Sequence, residues 1–208
     1  QPLSFSVSET TEGVHIHIID AELMGKGEKE KKDLYIEGVQ NNGIINHYEY
    51  IINSEGTIEI RHVLKPEGKM PLWFPRIGLT LTVSDALDQV KWYGRGPQEN
   101  YPDRKTGYPM GIYASTVQAM YEPYLMPQDY GLRTDVRWLQ LTTDKGIGLQ
   151  FKMNEWFNFN IYPYSTDNLT KAMYTYQLQK QKGMTLNLDY ATTGVGCTAR
   201  GVFGAYKA

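Results

Sequence analysis

The sequence predicts an all-β protein made of antiparallel strands packed face to face. Three observations carry that reading. Apolar residues recur at every second position in many short runs. Turn residues interrupt those runs at intervals of roughly 8–12 residues. No window shows the i, i+3, i+4 apolar spacing of a long amphipathic helix.

The elements follow in order. Leu3, Phe5 and Val7 alternate with Ser4, Ser6 and Ser8, as in a half-buried strand. Glu12-Gly13 reads as a turn, after which Val14, Ile16 and Ile18 alternate with His15 and His17. Gly25 to Lys32 is polar and punctuated by glycine, and predicts an exposed hairpin loop. Tyr48, Tyr50 and Ile52 share one face of the next strand, and Thr57 to Val63 alternates again. Lys65-Pro66-Glu67-Gly68 reads as a turn, followed by strong alternation through Ile77, Leu79, Leu81 and Val83 and a short strand over Val90 to Tyr93. From Gly94 to Met126 the pattern is loop-like, with prolines at 97, 102, 109 and 123. Later strands are expected over Val136–Leu141, Ile147–Phe151, Phe157–Ile161, Tyr174–Leu178 and Met184–Leu188. Thr166 to Ala172 predicts one short helix, capped by Thr166 or Asp167. The long irregular middle is unusual for a plain sandwich, because long loops are commonly functional or packed against something.

Composition narrows the function classes. With 208 residues, 41% of them hydrophobic, the chain is long enough to bury a substantial core. A net charge of -2 argues against nucleic acid or an anionic membrane surface as partner. The 16 Tyr and 4 Trp suit strands, and equally suit wet grooves that hold sugars. Cys197 is the single cysteine, so the fold rests on packing without an intrachain disulfide. No apolar run approaches the ~20 residues of a membrane span. A soluble protein is expected, with cytoplasm and periplasm both open. The N-terminus, Gln1 to Phe5, lacks a basic n-region and an apolar h-region, and passes straight into a strand pattern. A start at a domain boundary is expected.

The most informative segment is Trp92-Tyr93-Gly94-Arg95-Gly96-Pro97-Gln98-Glu99-Asn100-Tyr101-Pro102-Asp103-Arg104. Glu99 and Asp103 suggest a glycosidase pair, which needs two carboxyls about 5–5.5 Å apart in a retaining enzyme. Pro97 and Pro102 forbid a continuous helix that would stack them, and Arg95 and Arg104 offer guanidinium partners. A rigid, salt-bridged loop is therefore the expected structure. Gly94-Arg95-Gly96 and Gly194-Val195-Gly196 lack the third glycine and following helix of a phosphate loop, and read as turns. His15 and His17 would share one strand face, but no third metal ligand lies near them in sequence, so no metal site is expected. Tyr121, Tyr124, Tyr130, Trp138, Trp156, Tyr162 and Tyr164 recur beside polar residues, which fits either a sugar platform or interface packing.

At this segment the sequence resembles a family. Gly96 to Arg104, GPQENYPDR, is similar to a characteristic block of the C-terminal, small-chain domain of glycoside hydrolase family 2 β-galactosidases. Three further blocks agree in order: Pro75-Arg76-Ile77-Gly78; Tyr121-Glu122-Pro123-Tyr124 with Pro127 to Arg133; and Phe159 to Ser165. The resemblance covers most of the chain, from Phe5 to Gly196.

The resemblance implies a single small-chain-type domain over residues 1–208, a large antiparallel supersandwich similar to the galactose-mutarotase fold. It implies an accessory role in hydrolysing terminal β-D-galactosides, with the catalytic glutamates on a separate barrel domain and no catalytic residue here. No cofactor is implied for this domain, while Mg or Na ions belong to other domains of the full enzyme. Implied partners are the remaining domains of the same enzyme, the galactoside substrate and, left open, further copies of the full enzyme. Arg76, Glu99, Asn100, Tyr101, Asp103, Arg104 and Arg133 are expected to form a polar network that orders the central loops or faces the cleft. Thr198 and Arg200 are candidates for a sugar-side loop after Gly196, where some members carry a tryptophan and this sequence carries none. A further strand is expected beyond Ala208.

Two alternatives stand beside this reading. One is an independent carbohydrate-binding module, which measurable galactose affinity would reveal. The other is an aldose epimerase-like enzyme. That chemistry needs an acid and a base at the sugar ring, typically including histidine, and no histidine follows His62.

Overall fold

The computed structural model describes residues 3–23, 43–68 and 70–196. The expected hairpin loop at Gly25–Lys32, together with Cys197, Thr198, Arg200 and the C-terminal end, lies outside the described residues. The chain divides into two compact units, residues 1–72 and 73–208. Among the described residues all sheets are antiparallel, and no helix is long and apolar enough to cross a membrane.

The first unit is a four-stranded meander: β1 (Ser4–Thr10), β2 (Gly13–Leu23), β3 (Gly43–Ile52) and β4 (Ile58–Glu67), paired in that order. Chemistry at the turns fixes the register. The Thr10 hydroxyl accepts from the Glu12 amide (3.2 Å). Gly13 has φ +140°, and a Cβ there would sit 2.1 Å from the Ile52 carbonyl oxygen, so only glycine fits. Asn53 Oδ1 accepts the amides of Glu55 and Thr57, both at 3.0 Å, closing the β3–β4 turn. Strand β4 runs on through Pro66, where a turn was expected. It is an edge strand, so proline's missing N–H costs no ladder bond on the open side.

The second unit is a sandwich of two four-stranded sheets. One has the order β10 (Gly148–Phe151), β9 (Trp138–Thr142), β6 (Gln89–Arg95), β7 (Met110–Thr116). The other has the order β5 (Arg76–Val83), β12 (Met184–Thr192), β11 (Phe157–Tyr162), β8 (Arg133–Val136). The core lies between them. Trp92, Leu139 and Leu141 from the first sheet meet Val136, Phe159, Ile161, Leu186 and Leu188 from the second. Trp92 meets Phe159 edge-on at 5.9 Å.

Four further expectations need correction. The single strand expected over Val136–Leu141 is two strands in different sheets, and the chain crosses at Arg137, whose amide bonds the Tyr93 carbonyl (2.7 Å). The loop-like middle contains β7, whose Gly111 lies opposite Gly94 of β6. The helix α1 (Thr166–Lys171) is capped by Ser165, whose hydroxyl accepts from the Asn168 amide, so Asp167 falls in the first turn. The strand expected at Tyr174–Leu178 is a 3-10 turn over Thr175–Gln177. There Gln177 Oε1 accepts the amides of Met173 (2.7 Å) and Tyr174 (3.1 Å), which draws the backbone away from a ladder.

Candidate functional site

The site is centred on Glu99, in the loop that leaves β6. Glu99 is only 5% exposed, and both of its oxygens are occupied. Oε2 accepts from the Tyr101 hydroxyl (3.0 Å) and the Gly131 amide (2.8 Å). Oε1 accepts from Arg104 Nη2 (3.1 Å) and from the Tyr124 hydroxyl. Burial alone would raise the Glu99 pKa, but the bonds from Tyr124, Gly131 and Tyr101 and the Arg104 charge outweigh it and hold the carboxyl below its ordinary range. The same contacts push the Tyr124 hydroxyl up to about 12, with burial the leading cause.

Neighbouring residues tie the loop to the sheet below. The fully buried Asn100 accepts at Oδ1 from the Thr134 amide (3.0 Å) and hydroxyl (2.5 Å), which locks the loop onto β8. The Asn100 amide bonds the Leu132 carbonyl at 2.8 Å. Arg133 is buried and donates to the Gly131 carbonyl (2.9 Å), with its guanidinium 5.4 Å from the Trp92 ring centroid. Burial lowers its pKa to about 10 against the pull of Glu99 and Glu122, so it stays cationic at neutral pH. Asp103 closes the far side. Its two oxygens accept the amides of Val195 (3.1 Å) and Gly196 (2.7 Å). A Cβ on Gly194 would lie 2.3 Å from the Asp103 carboxyl carbon, so the Gly194-Val195-Gly196 segment can wrap the carboxylate only with glycine there.

The structure divides the seven residues expected to form one network into four groups. Glu99, Tyr101 and Arg104 converge, with Arg133 beside them. Asn100 anchors to Thr134, and Asp103 serves backbone amides instead of a guanidinium. Arg95, expected near these carboxylates, pairs with Asp135 (2.5 Å), which Lys105 also contacts at 2.9 Å. Arg76 belongs to a separate group. It reaches Asp129 (2.8 Å) and Asp189 (3.0 Å), while Asp129 also accepts from Asn160 (2.8 Å). A cavity of about 170 Å³ adjoins this group, lined by Pro127, Gln128, Asp129, Tyr162, Thr166 and Leu169.

Sequence reasoning missed the polar face of the β5-β12-β11 sheet. Thr80, Asn187 and Asn160 form a hydrogen-bonded row across it, with links of 2.8 Å each. Asp189 lies two residues along β12 from Asn187, 1% exposed, and neither of its oxygens has a hydrogen-bond donor in line. Burial raises its pKa to about 7 despite Arg76. The sequence carried no signal of it: in Phe157 to Ile161 and Leu186 to Asp189, asparagine and aspartate alternate with large apolar residues, which reads as a half-buried strand, whereas the structure buries the polar side as well.

The aromatic residues divide as well. Tyr130 and Tyr162 are buried with Leu169, and Tyr121, Tyr124 and Tyr164 pack against them, so these five serve packing. Trp156 is 55% exposed, with the Arg137 guanidinium 4.1 Å from its ring centroid.

Chemically, the arrangement orders loops. A retaining pair needs one carboxylate free to attack and another free to give up a proton, about 5–5.5 Å apart. Glu99 and Asp103 each have donors on both oxygens.

Comparison with known proteins finds relatives of the sequence. A family model described as Beta galactosidase small chain matches residues 7–206, across both compact units. The Beta-galactosidase of Priestia megaterium (strain DSM 319 / IMG 1521) is 38% identical over 147 residues, 71% of this chain and 14% of that protein. That of Vibrio cholerae serotype O1 is 39% identical over 122 residues, 59% of this chain and 11% of its own length. That of Pseudoalteromonas haloplanktis is 34% identical over 148 residues, covering 71% and 14%. The chain therefore spans only a small part of the length of the relatives it matches.

Proposed function

The chain belongs to the β-galactosidase small-chain family, and on that premise we propose that it is an accessory β-sandwich part of a larger enzyme that hydrolyses terminal β-D-galactosides. In this reading it walls one side of the galactoside cleft and stabilises the assembled enzyme, and residues 1–208 act together as one small-chain-type domain. The catalytic carboxylates reside on another domain. The remaining domains and the galactoside are its partners, together with further copies of the assembled enzyme, and no cofactor is held in the Glu99 site.

The observation that supports this role is the state of Glu99. A carboxylate with four donors and a depressed pKa is a poor general acid and a poor nucleophile, and a good fastener. It joins three parts of the chain, around positions 99–104, 124 and 131, that a cleft wall would need to hold rigid. The test is direct. The isolated 208-residue chain is assayed with a chromogenic β-galactoside and for anomer interconversion of galactose. Neither turnover is expected, and either one would overturn the accessory role.

A second reading, an independent carbohydrate-binding module, draws on the exposed Trp156 ring with its Arg137 neighbour. Calorimetric titration with galactose separates the two. Submillimolar affinity lost in Trp156→Ala favours the module, and its absence favours the accessory role.

A further inference from the structure

The sheet register of the first unit assembles a cluster that sequence spacing conceals. His15 and His17 lie two apart on β2, so their rings project from one face, with centroids 6.4 Å apart. The third group comes from the neighbouring strand. Glu49 of β3 lies directly opposite His17 in the ladder. Its Oε1 faces both rings, 3.8 Å from His15 Nδ1 and 3.8 Å from His17 Nε2. One candidate ligand atom from each of the three residues lies within 4.8 Å of the others.

We infer that His15, His17 and Glu49 form a binding site for a divalent transition cation with affinity for imidazole, such as Zn²⁺. Two imidazoles and one carboxylate are a common ligand set for Zn²⁺, leaving a fourth position for water. A tetrahedral ion with bonds of about 2.0–2.1 Å needs ligand atoms roughly 3.4 Å apart. The carboxylate contacts are 3.8 Å and all three atoms lie within 4.8 Å of one another, so closure needs shifts of about 1.4 Å at most in any pair, within the reach of side-chain rotation.

The surroundings favour a cation. Arg61 of β4, opposite Glu49 in the ladder, takes the other carboxylate oxygen, Oε2, at 3.1 Å. That contact leaves Oε1 turned to the imidazoles. Arg61 is itself shared with Glu59 (2.8 Å). Two carboxylates then face one guanidinium, and with neutral imidazoles the group carries net negative charge. The imidazoles select transition metals, while Mg²⁺ and Ca²⁺ prefer all-oxygen sets. The ion would tie β2 to β3 at mid-sheet, on a face whose β1 neighbours opposite His17 and His15 are Ser6 and Ser8.

The test uses the tag-free 208-residue chain and Zn²⁺ alone as probe. Titration calorimetry at neutral pH is run on the wild type, on His15→Ala/His17→Ala, and on Glu49→Gln. Histidine ring-nitrogen NMR is recorded in parallel. We expect one Zn²⁺ to bind at micromolar concentration and to shift the His15 and His17 ring nitrogens while leaving those of His47 unmoved. The double variant should lose this binding, and Glu49→Gln should weaken it at least tenfold. Far-UV circular dichroism of each variant without metal confirms that the sheet is intact. If it is not, ring-nitrogen shifts in the wild type decide alone. Binding that survives in the double variant, millimolar affinity, or shifts confined to other residues would overturn the assignment.

Discussion

Replacing Glu99 by alanine removes the one acceptor shared by four donors. Two of those donors, the Tyr101 hydroxyl and the Gly131 amide, are buried and bond Glu99 Oε2 at 3.0 and 2.8 Å. A buried donor stripped of its acceptor costs about 1–3 kcal/mol. Arg104 adds little, because its side chain is half exposed and water takes over. Arg133, almost fully buried, loses the carboxylate charge that offsets its own desolvation. Together these give about 3–5 kcal/mol, in line with breaking a buried charged group. In a chain of this size that corresponds to a fall in Tm of roughly 6–20 °C, at about 2–4 °C per kcal/mol. Glu99→Gln keeps one carbonyl acceptor and loses the charge, so it should fall between. Urea denaturation followed by tryptophan fluorescence measures both variants. A loss under about 1 kcal/mol for Glu99→Ala would refute the claim that this carboxylate fastens the loops.

Other outcomes follow from the same geometry. Arg104→Ala should cost only about 1 kcal/mol, since Glu99 keeps three donors and the ion pair is half exposed; a loss of about 3 kcal/mol or more by denaturation would show that the pair behaves as buried. Asp189 has a raised folded pKa, so its contribution to stability is fully present below about pH 4 and is lost as pH rises through about 7. Between pH 5 and pH 8 the wild type should therefore lose about 1–4 kcal/mol relative to Asp189→Asn, and parallel pH profiles would contradict this. Glu99 and Asp135 act in the opposite sense, because their depressed pKa values give stability that is lost as pH falls below the ordinary carboxylate range. Asp103→Ala frees the Val195 and Gly196 amides, so hydrogen exchange there should accelerate at least tenfold while core amides stay protected. Unchanged exchange at those two amides would show that Asp103 does not hold the segment.

The second unit was legible where a strand has one face toward the core and the other outside it, whereas β1, expected to be half-buried, is exposed at every position. Leu79 and Leu81 alternate for that reason, and β5 forms where the period indicates. Strand β7 was hidden because its glycine, Gly111, pairs with Gly94 and carries no side chain to mark a face. The β8–β9 crossover was hidden because the apolar pattern has no gap there. Its only trace is a change of phase, with Val136 buried at an even position and Leu139 and Leu141 at odd ones.

The site follows the same logic. Glu99, Tyr101 and Arg104 lie within six residues of one another, so their association was readable locally. Tyr124 and Gly131 reach Glu99 from 25 and 32 residues away, and Glu49 meets His17 only through the ladder. Pairings of that kind are set by strand register and loop closure, which local spacing does not encode. The resemblance of the GPQENYPDR block found the family, but it did not show that Asp103 serves backbone amides or that Arg95 belongs to Asp135.

In the proposed role this chain completes and steadies a galactosidase without performing its chemistry. Co-expression tests it most directly: a small-chain-family β-galactosidase lacking this region is produced alone, with the wild-type chain, and with its Glu99→Ala variant, and galactoside hydrolysis and thermal inactivation are measured. That role predicts little activity alone, recovery with the wild-type chain, and weaker recovery with the variant. Full activity and unchanged thermal stability in the enzyme lacking this region would contradict it.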